Sequence, residues 1–166
     1  RYVITLDSAT ALNVGAAREL VGAMLHPLNR ARIDTRRNVV TQGYGLLQPR
    51  IGVELGAANR SQFSRIFAGL GGIDPYGGAC SDVYHDLFDR GTYTGKGIFD
   101  VDAFVKCLDG RFPQGRILSH DLLEGAYLHA GLMEDVELTD GYPYQVTSYF
   151  SRLQRWVRGD WQLLPW

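Results

Sequence analysis

A chain of 166 residues with 45% hydrophobic and 21% charged side chains falls in the range of one globular domain and can bury a substantial core. Seventeen basic and eighteen acidic residues leave a formal charge of −1, which excludes the overall basic footprint of a protein that grips nucleic acid, so any affinity for anions must be local. No apolar run approaches the roughly 20 residues that span a bilayer, no signal-peptide pattern opens the chain, and the two cysteines, Cys80 and Cys107, lack the paired spacing of a zinc site or disulfide framework, which favours reduced thiols.

Tyr2 to Leu6 is an apolar, β-rich run. The Asp7-Ser-Ala-Thr10 that follows offers turn and helix-capping residues ahead of an apolar stripe at Ala17, Leu20, Val21, Met24 and Leu25. His26-Pro27 ends that helix, because a proline disfavours helical geometry at the residue before it. Val39 to Val53 is interrupted by Gly43, Gly45 and Pro49, which fits an irregular or edge strand. Phe63, Ile66 and Phe67 share one face of a short helix from Ser61 to Phe67, and a second helix runs from Ser81 through Phe88 with Ser81 or Asp82 as cap. A glycine-rich loop from Gly69 to Gly78 separates them.

Thr92 to Phe99 reads as strand or loop, after which Asp100 or Asp102 opens a helix carrying Val101, Phe104, Val105 and Leu108 and stopped by Gly110 and Pro113. Arg116 to Leu118 is short and β-like, Ser119 is placed to cap a helix from Asp121 to Ala130, and Gly131 stands where a left-handed helix end would fall. Val136 to Thr139 offers a strand, and a last helix covers about Ser148 to Val157. Strands alternating with helices imply an α/β layer, with no internal repeat and no low-complexity linker to divide it. The apolar first residues and the apolar Leu163-Leu-Pro-Trp166 suggest a piece of something longer.

Three places carry candidate chemistry. Asp7 ends a buried-looking strand, where ligands gather in open α/β sheets, and a carboxylate there suits a hard cation bridging a diphosphate; a turn or cap aspartate is the plainer role. In Ser119-His120-Asp121 a carboxylate falls in the first turn of a helix, which favours its ionised form and lets it take a proton from an attacking hydroxyl, although capping explains Ser119, Asp121 and Glu124 as well. Arg152, Arg155 and Arg158 recur every third residue as a spiralling basic stripe, whose guanidinium forks suit phosphate oxygens, while Trp156 or Trp161 suits a sugar ring; a solvated basic face over buried tryptophan is the alternative.

Two other patterns fail on spacing. Gly91-Thr-Tyr-Thr-Gly95-Lys96-Gly97 is one residue short of a phosphate loop and lacks its Ser/Thr. His26, His85 and His129 are too scattered to join His120 in a metal phosphohydrolase centre.

Taken together, the chain resembles the glycosyltransferase domain of the cyclic β-1,2-glucan synthases. The likeness is nearly continuous through Tyr2-Val-Ile-Thr-Leu-Asp7, Leu25-His-Pro-Leu-Asn29, Gly43-Tyr-Gly-Leu-Leu-Gln-Pro-Arg50, Gly72-Ile-Asp-Pro-Tyr76, Ser81-Asp-Val-Tyr-His-Asp-Leu-Phe88, Tyr93-Thr-Gly-Lys-Gly-Ile-Phe-Asp-Val-Asp-Ala-Phe104, Leu118-Ser-His-Asp-Leu-Leu-Glu-Gly125 and Arg155-Trp-Val-Arg-Gly-Asp-Trp-Gln-Leu-Leu-Pro-Trp166. The resemblance implies an α/β fold of the GT-A, processive-synthase-like kind, a mixed sheet flanked by helices, with residues 1–166 forming the C-terminal catalytic half of a partial domain. It implies that the upstream nucleotide-binding strands, the membrane helices on both sides and a phosphorylase-like region lie outside this stretch.

By the same resemblance Asp7 matches the first carboxylate of the Asp-x-Asp donor motif, Asp121 the acidic base of the Thr-Glu-Asp-like element, and Arg155-Trp156 the end of the Gln-x-x-Arg-Trp element. The chain departs from the pattern twice: the second donor carboxylate falls at Ala9, which removes a metal ligand, and the Gln of the last element falls at Arg152. The implied reaction is inverting transfer of glucose from UDP-glucose to the 2-hydroxyl of a growing β-1,2-glucan, on the cytoplasmic face of the bacterial inner membrane. Asp121 would act as base and Asp7 would hold a divalent cation, magnesium or manganese, at the diphosphate, with Arg155 and Arg158 adding positive charge. Trp156 would form the acceptor platform, and Lys96, Asp100 and Asp102 would make further acceptor contacts. Two alternatives stand beside it: a remnant that has lost donor chemistry at Ala9, and a glycoside hydrolase using Asp7 and Asp121 about 5–10 Å apart.

Overall fold

Residues 1–69, 83–113 and 115–165 are described by the structure, a computed structural model. The strands are β1 (Tyr2–Thr5), β2 (Thr10–Ala11), β3 (Arg32–Asp34), β4 (Val39–Gln42), β5 (Leu46–Val53), β6 (Gly97–Asp100) and β7 (Ala130–Asp140). The helices are α1 (Ala16–Leu25), α2 (Leu55–Ala58), α3 (Gln62–Phe67), α4 (Val83–Phe88), α5 (Val101–Leu108), α6 (Asp121–Leu128) and α7 (Val146–Trp161). Five strands make a mixed sheet in the order β1-β6-β5-β7-β2, and β3 pairs with β4 as a separate hairpin. Only β5 and β7 pair in parallel; β1 with β6, β6 with β5, and β2 with β7 are antiparallel.

Side chains of consecutive strand residues leave opposite faces of a sheet, and β5 shows the consequence. Leu47 and Ile51 pack with Ile98, Val136 and Leu138 against Ala16, Leu20 and Met24 of α1. Leu46 turns the other way, to Val40, Ala103, Cys107 and Leu128 beneath α5 and α6. The sheet is therefore covered on both faces, as the α/β reading requires. Leu20, Ile98, Leu128 and Leu138 are wholly buried, and each such side chain stabilises the fold by roughly 1.5–3 kcal/mol.

Several local expectations need correction. Asp7 to Thr10 does not cap a helix: it closes a turn, Thr10 N–H to Asp7 O at 3.0 Å, and leads into β2, while α1 starts after Gly15 in a left-handed conformation. Val39 to Val53 splits into β4 and β5, and β5 is a central strand. Pro49 is tolerated there because the register with β7 shifts between Pro49 and Arg50, where a ladder hydrogen bond is not missed. Arg116 to Leu118 forms no strand. The residue ahead of α6 is His120, without a side-chain cap bond, and the left-handed residue after it is His129, so Gly131 belongs to β7. Here β7 is eleven residues long and α7 sixteen, both longer than the apolar pattern suggests. Cys80, the proposed caps Ser81 and Asp82, and the loop beyond Gly69 lie outside the described residues.

Because β1 is antiparallel to β6 and β6 to β5, the carboxyl ends of β1, β5 and β7 share one end of the sheet. Helix α7 is held across that end at two points. Near its start, Tyr149 meets Phe63 of α3 edge-on at 5.7 Å and lies 6.3 Å from Tyr142. Near its finish, Gly159 lies against Ser119, where an added Cβ would come within 2.8 Å of the Ser119 Cβ, and Gln162 Oε1 accepts from Leu118 N–H at 3.3 Å.

Candidate functional site

Asp7 follows β1, Asp140 ends β7 and Lys96 precedes β6, so the strand directions bring all three to the same end of the sheet. The Lys96 ammonium, 3% exposed, lies 2.8 Å from Asp140 Oδ2 and 3.5 Å from Asp7 Oδ2. Asp140 Oδ1 accepts from Thr10 Oγ1 at 2.6 Å. From α7, Arg152 Nη2 approaches the same two carboxylates at 3.7 Å and 3.9 Å, and its guanidinium stacks 5.1 Å from the centre of the Trp156 ring.

A cavity of about 610 Å³ opens over this cluster. Asp7, Ala9, Arg152 and Arg155 line it together with hydroxyls of α7, among them Ser148 and Ser151. Residues three and four apart share a helix face, so Ser148, Ser151, Arg152 and Arg155 form one wall. Arg158 continues the stripe one turn on, exposed and outside the lining.

Asp121 stands in the first turn of α6, next to this cavity rather than in its lining. Its carboxyl is pushed above the ordinary carboxylate range, first by burial and then by the charge of Glu124; His120 opposes, and Asp7 and Asp160 add to the rise. The Asp7 contribution ties the two candidate carboxylates to one electrostatic neighbourhood, and that of Asp160 ties in α7. Gly95, at a φ of +87°, gives Asp121 its room: an added Cβ would sit 3.0 Å from Asp121 Oδ2. Beside them Tyr93 is 3% exposed, its hydroxyl paired with Thr5 Oγ1 at 2.7 Å. Burial above all pushes its phenol up, the Thr5 bond opposes, and Glu124, Asp121 and Asp7 all act in the direction of burial.

On the outer side of α6, His120 Nδ1 pairs with Glu124 Oε1 at 2.7 Å and lies 3.8 Å from Asp121 Oδ1. That hydrogen bond to Glu124 raises the imidazole above its ordinary value.

Asp7, Asp121, Arg155 and Trp156 thus gather at one end of the sheet, as the sequence suggests. Lys96 is there too, but buried against carboxylates rather than open to a sugar. Asp100 and Asp102 are elsewhere: Asp100 pairs in register with Tyr2 at the opposite end of β6, where its carboxylate caps α5 by accepting from the N–H groups of Asp102 and Ala103. Sequence reasoning missed Asp140, which follows the alternating Val136-Glu-Leu-Thr139, and read Arg152 both as part of the basic stripe and as a departure from the Gln of the last element.

Asp7, the carboxylate expected to hold a divalent cation, faces two cationic side chains. Hard cations want a shell of oxygens, whereas Asp7 faces an ammonium and a guanidinium, Asp140 gives Oδ2 to Lys96 and Oδ1 to Thr10, and Ala9 brings no side-chain oxygen. Among the described residues one group of ligand atoms does converge within 4.8 Å, on His120, Asp121 and Glu124, and it leaves out Asp7.

No family model matches the chain. Among curated proteins, the cyclic β-(1,2)-glucan synthase NdvB of Rhizobium meliloti (strain 1021) is 47% identical over 167 residues. That match takes in all of this chain and only 6% of the relative's length. No helix among the described residues is long and apolar enough to cross a membrane. Along its whole length, therefore, this chain is similar to one short segment of a cyclic β-(1,2)-glucan synthase.

Proposed function

We propose that the chain is part of the catalytic core of an inverting glucosyltransferase of GT-A type, moving glucose from UDP-glucose to the 2-hydroxyl of a β-1,2-glucan within a longer, membrane-anchored protein at the cytoplasmic face. The observation that carries this reading is the meeting of Asp7, Arg155 and Asp121 at the carboxyl ends of β1, β5 and β7, the place where ligands bind in open α/β sheets. Likeness to a glucan synthase over the whole chain supports it.

In this mechanism Asp121 takes the proton from the acceptor hydroxyl as that oxygen attacks the anomeric carbon from the side opposite the diphosphate. One displacement with one base inverts the anomeric centre. The raised carboxyl makes Asp121 a stronger base than a solvated aspartate, provided it is ionised when the acceptor arrives. Arg155 faces the leaving diphosphate with a guanidinium fork, and Arg158, one turn further along α7, adds charge at longer range. Trp156, half-buried and stacked by Arg152, offers its remaining ring face to the acceptor sugar.

Replacing Asp121 with Asn in the full-length protein tests the assignment. Transfer is expected to fall by about 10²–10⁴-fold, the range for loss of a general base, with UDP binding nearly unchanged. Preserved turnover removes Asp121 from the role. A non-catalytic remnant remains the second reading because Ala9 lines the cavity where the donor pattern has a carboxylate. Turnover by the unmodified full-length protein decides between the two.

A further inference from the structure

Resting on the donor reading above, the geometry points to a diphosphate pocket that works without a divalent cation, its counter-charge built into the chain as Lys96, Arg152 and Arg155. Here Asp7 and Asp140 already face the Lys96 ammonium at 3.5 Å and 2.8 Å, with the Arg152 guanidinium further off at 3.7 Å and 3.9 Å. An incoming divalent ion would have to face an ammonium that is 3% exposed and cannot swing into solvent without breaking its 2.8 Å bond to Asp140. Displacing it would leave a buried charge uncompensated, which is among the costlier changes a protein interior can suffer.

The cationic side of the pocket is correspondingly free to act. Arg152 stands 3.7 Å and 3.9 Å from the carboxylates, beyond hydrogen-bond reach, so its N–H donors are not committed to them. Arg155 is exposed in the same wall and, among the described residues, forms no ion pair. Ser148 and Ser151 add hydroxyl donors beside the two guanidiniums. Lining the cavity itself, Arg152 and Arg155 set two guanidiniums against the single carboxylate of Asp7 before any ion arrives.

Ala9, which brings no side-chain oxygen, and Arg152 line the same cavity. Bidentate guanidinium contacts are among the strong charge-assisted hydrogen bonds and suit phosphate oxygens without further help.

Calorimetric titration of the full-length protein with UDP, once in EDTA and once with magnesium or manganese, tests this directly. We expect binding in EDTA, changed less than about threefold by either metal, and weakened about tenfold or more by Arg152→Gln, in line with loss of a charge-assisted contact. Arg155→Gln, at an exposed position that the fold does not need, should weaken metal-free binding in the same direction. Uridine should bind far more weakly than UDP. The inference is overturned by UDP binding that requires metal, by unchanged EDTA binding in both arginine variants, or by uridine binding as well as UDP. Metal-dependent binding would leave the donor reading standing, whereas no UDP binding under any condition would remove both.

Discussion

Lys96 Nζ lies 2.8 Å from Asp140 Oδ2 inside the end of the sheet, and this one ion pair ties the loop before β6 to the last residue of β7. With Asp140 only 13% exposed, removing the cation leaves a carboxylate in surroundings that solvate it poorly. Lys96→Met should therefore destabilise this segment by roughly 3–5 kcal/mol, the range for breaking a buried pair from one side. Adding Asp140→Asn should recover much of the loss, because the stranded charge is then gone. The midpoint of thermal unfolding measures both. If Lys96→Met leaves it unchanged, the pair is not buried in the way described.

The pH dependence of transfer should follow the charges around Asp121. These are Glu124 on α6 and His120 just ahead of it, Asp7 after β1 and Asp160 on α7, with the buried Tyr93 phenol alongside. A base works only when ionised, so activity is lost as the pH falls through its pKa, and a raised carboxyl sets that limb higher than a solvated aspartate would. Glu124→Gln removes the largest charge that raises Asp121 and should move the acid limb to lower pH. His120→Asn removes the charge that lowers it and should move the limb to higher pH. Profiles of kcat/KM against pH for the two variants check the signs, and shifts in the same direction would mean that another group titrates.

The layout of the site was partly legible in the sequence because its members sit at chain positions with plain local signals. Asp7 closes an apolar run, Asp121 opens an apolar helix, and the arginines of α7 repeat every third residue. Pairing partners far apart in sequence left no such trace. Asp140 meets Lys96 only because β7 runs parallel to β5 while β6 runs against it, and strand order is a property of the whole sheet. The central place of β5 was hidden for a similar reason: Pro49 and two glycines argue for an edge, and only the register shift with β7 makes the proline harmless. Asp100 and Asp102 were drawn toward the site by their nearness to Lys96 in the chain. Extended backbone carries Asp100 to the far end of the strand, where capping is what remains for it.

Helix α7 brings Arg152 and Arg155 to the cavity only if its last turns stay close to Ser119. Gly159 permits this, since a Cβ there would lie 2.8 Å from the Ser119 Cβ, nearer than side chains pack. Gly159→Val should tilt the helix away, with an overpacking cost of about 1–3 kcal/mol. The expected signature is a joint loss: weaker UDP binding through the arginines and slower transfer through Asp121. Measuring both in the full-length protein separates this from a local defect. A variant that binds UDP normally and loses only turnover would show that α7 does not move as one body.

Restoring a carboxylate by Ala9→Asp separates a pocket that has exchanged its metal for arginine from one that has merely lost its metal. The new side chain would enter a cavity where Arg152 already faces Asp7 and Arg155 stands in the same wall. If those guanidiniums are the anion's partners, an added negative charge competes with the diphosphate, and UDP binding in EDTA should weaken by about tenfold, the scale of one charged contact. Magnesium should recover little of the loss, because Asp7 still faces Lys96 and Arg152. If the pocket is instead a metal site missing one ligand, the same change should raise both metal-dependent UDP binding and transfer above those of the unmodified protein. The sign of the change in EDTA distinguishes the two, since only the first gives the arginines an anion-binding role that a nearby carboxylate can oppose.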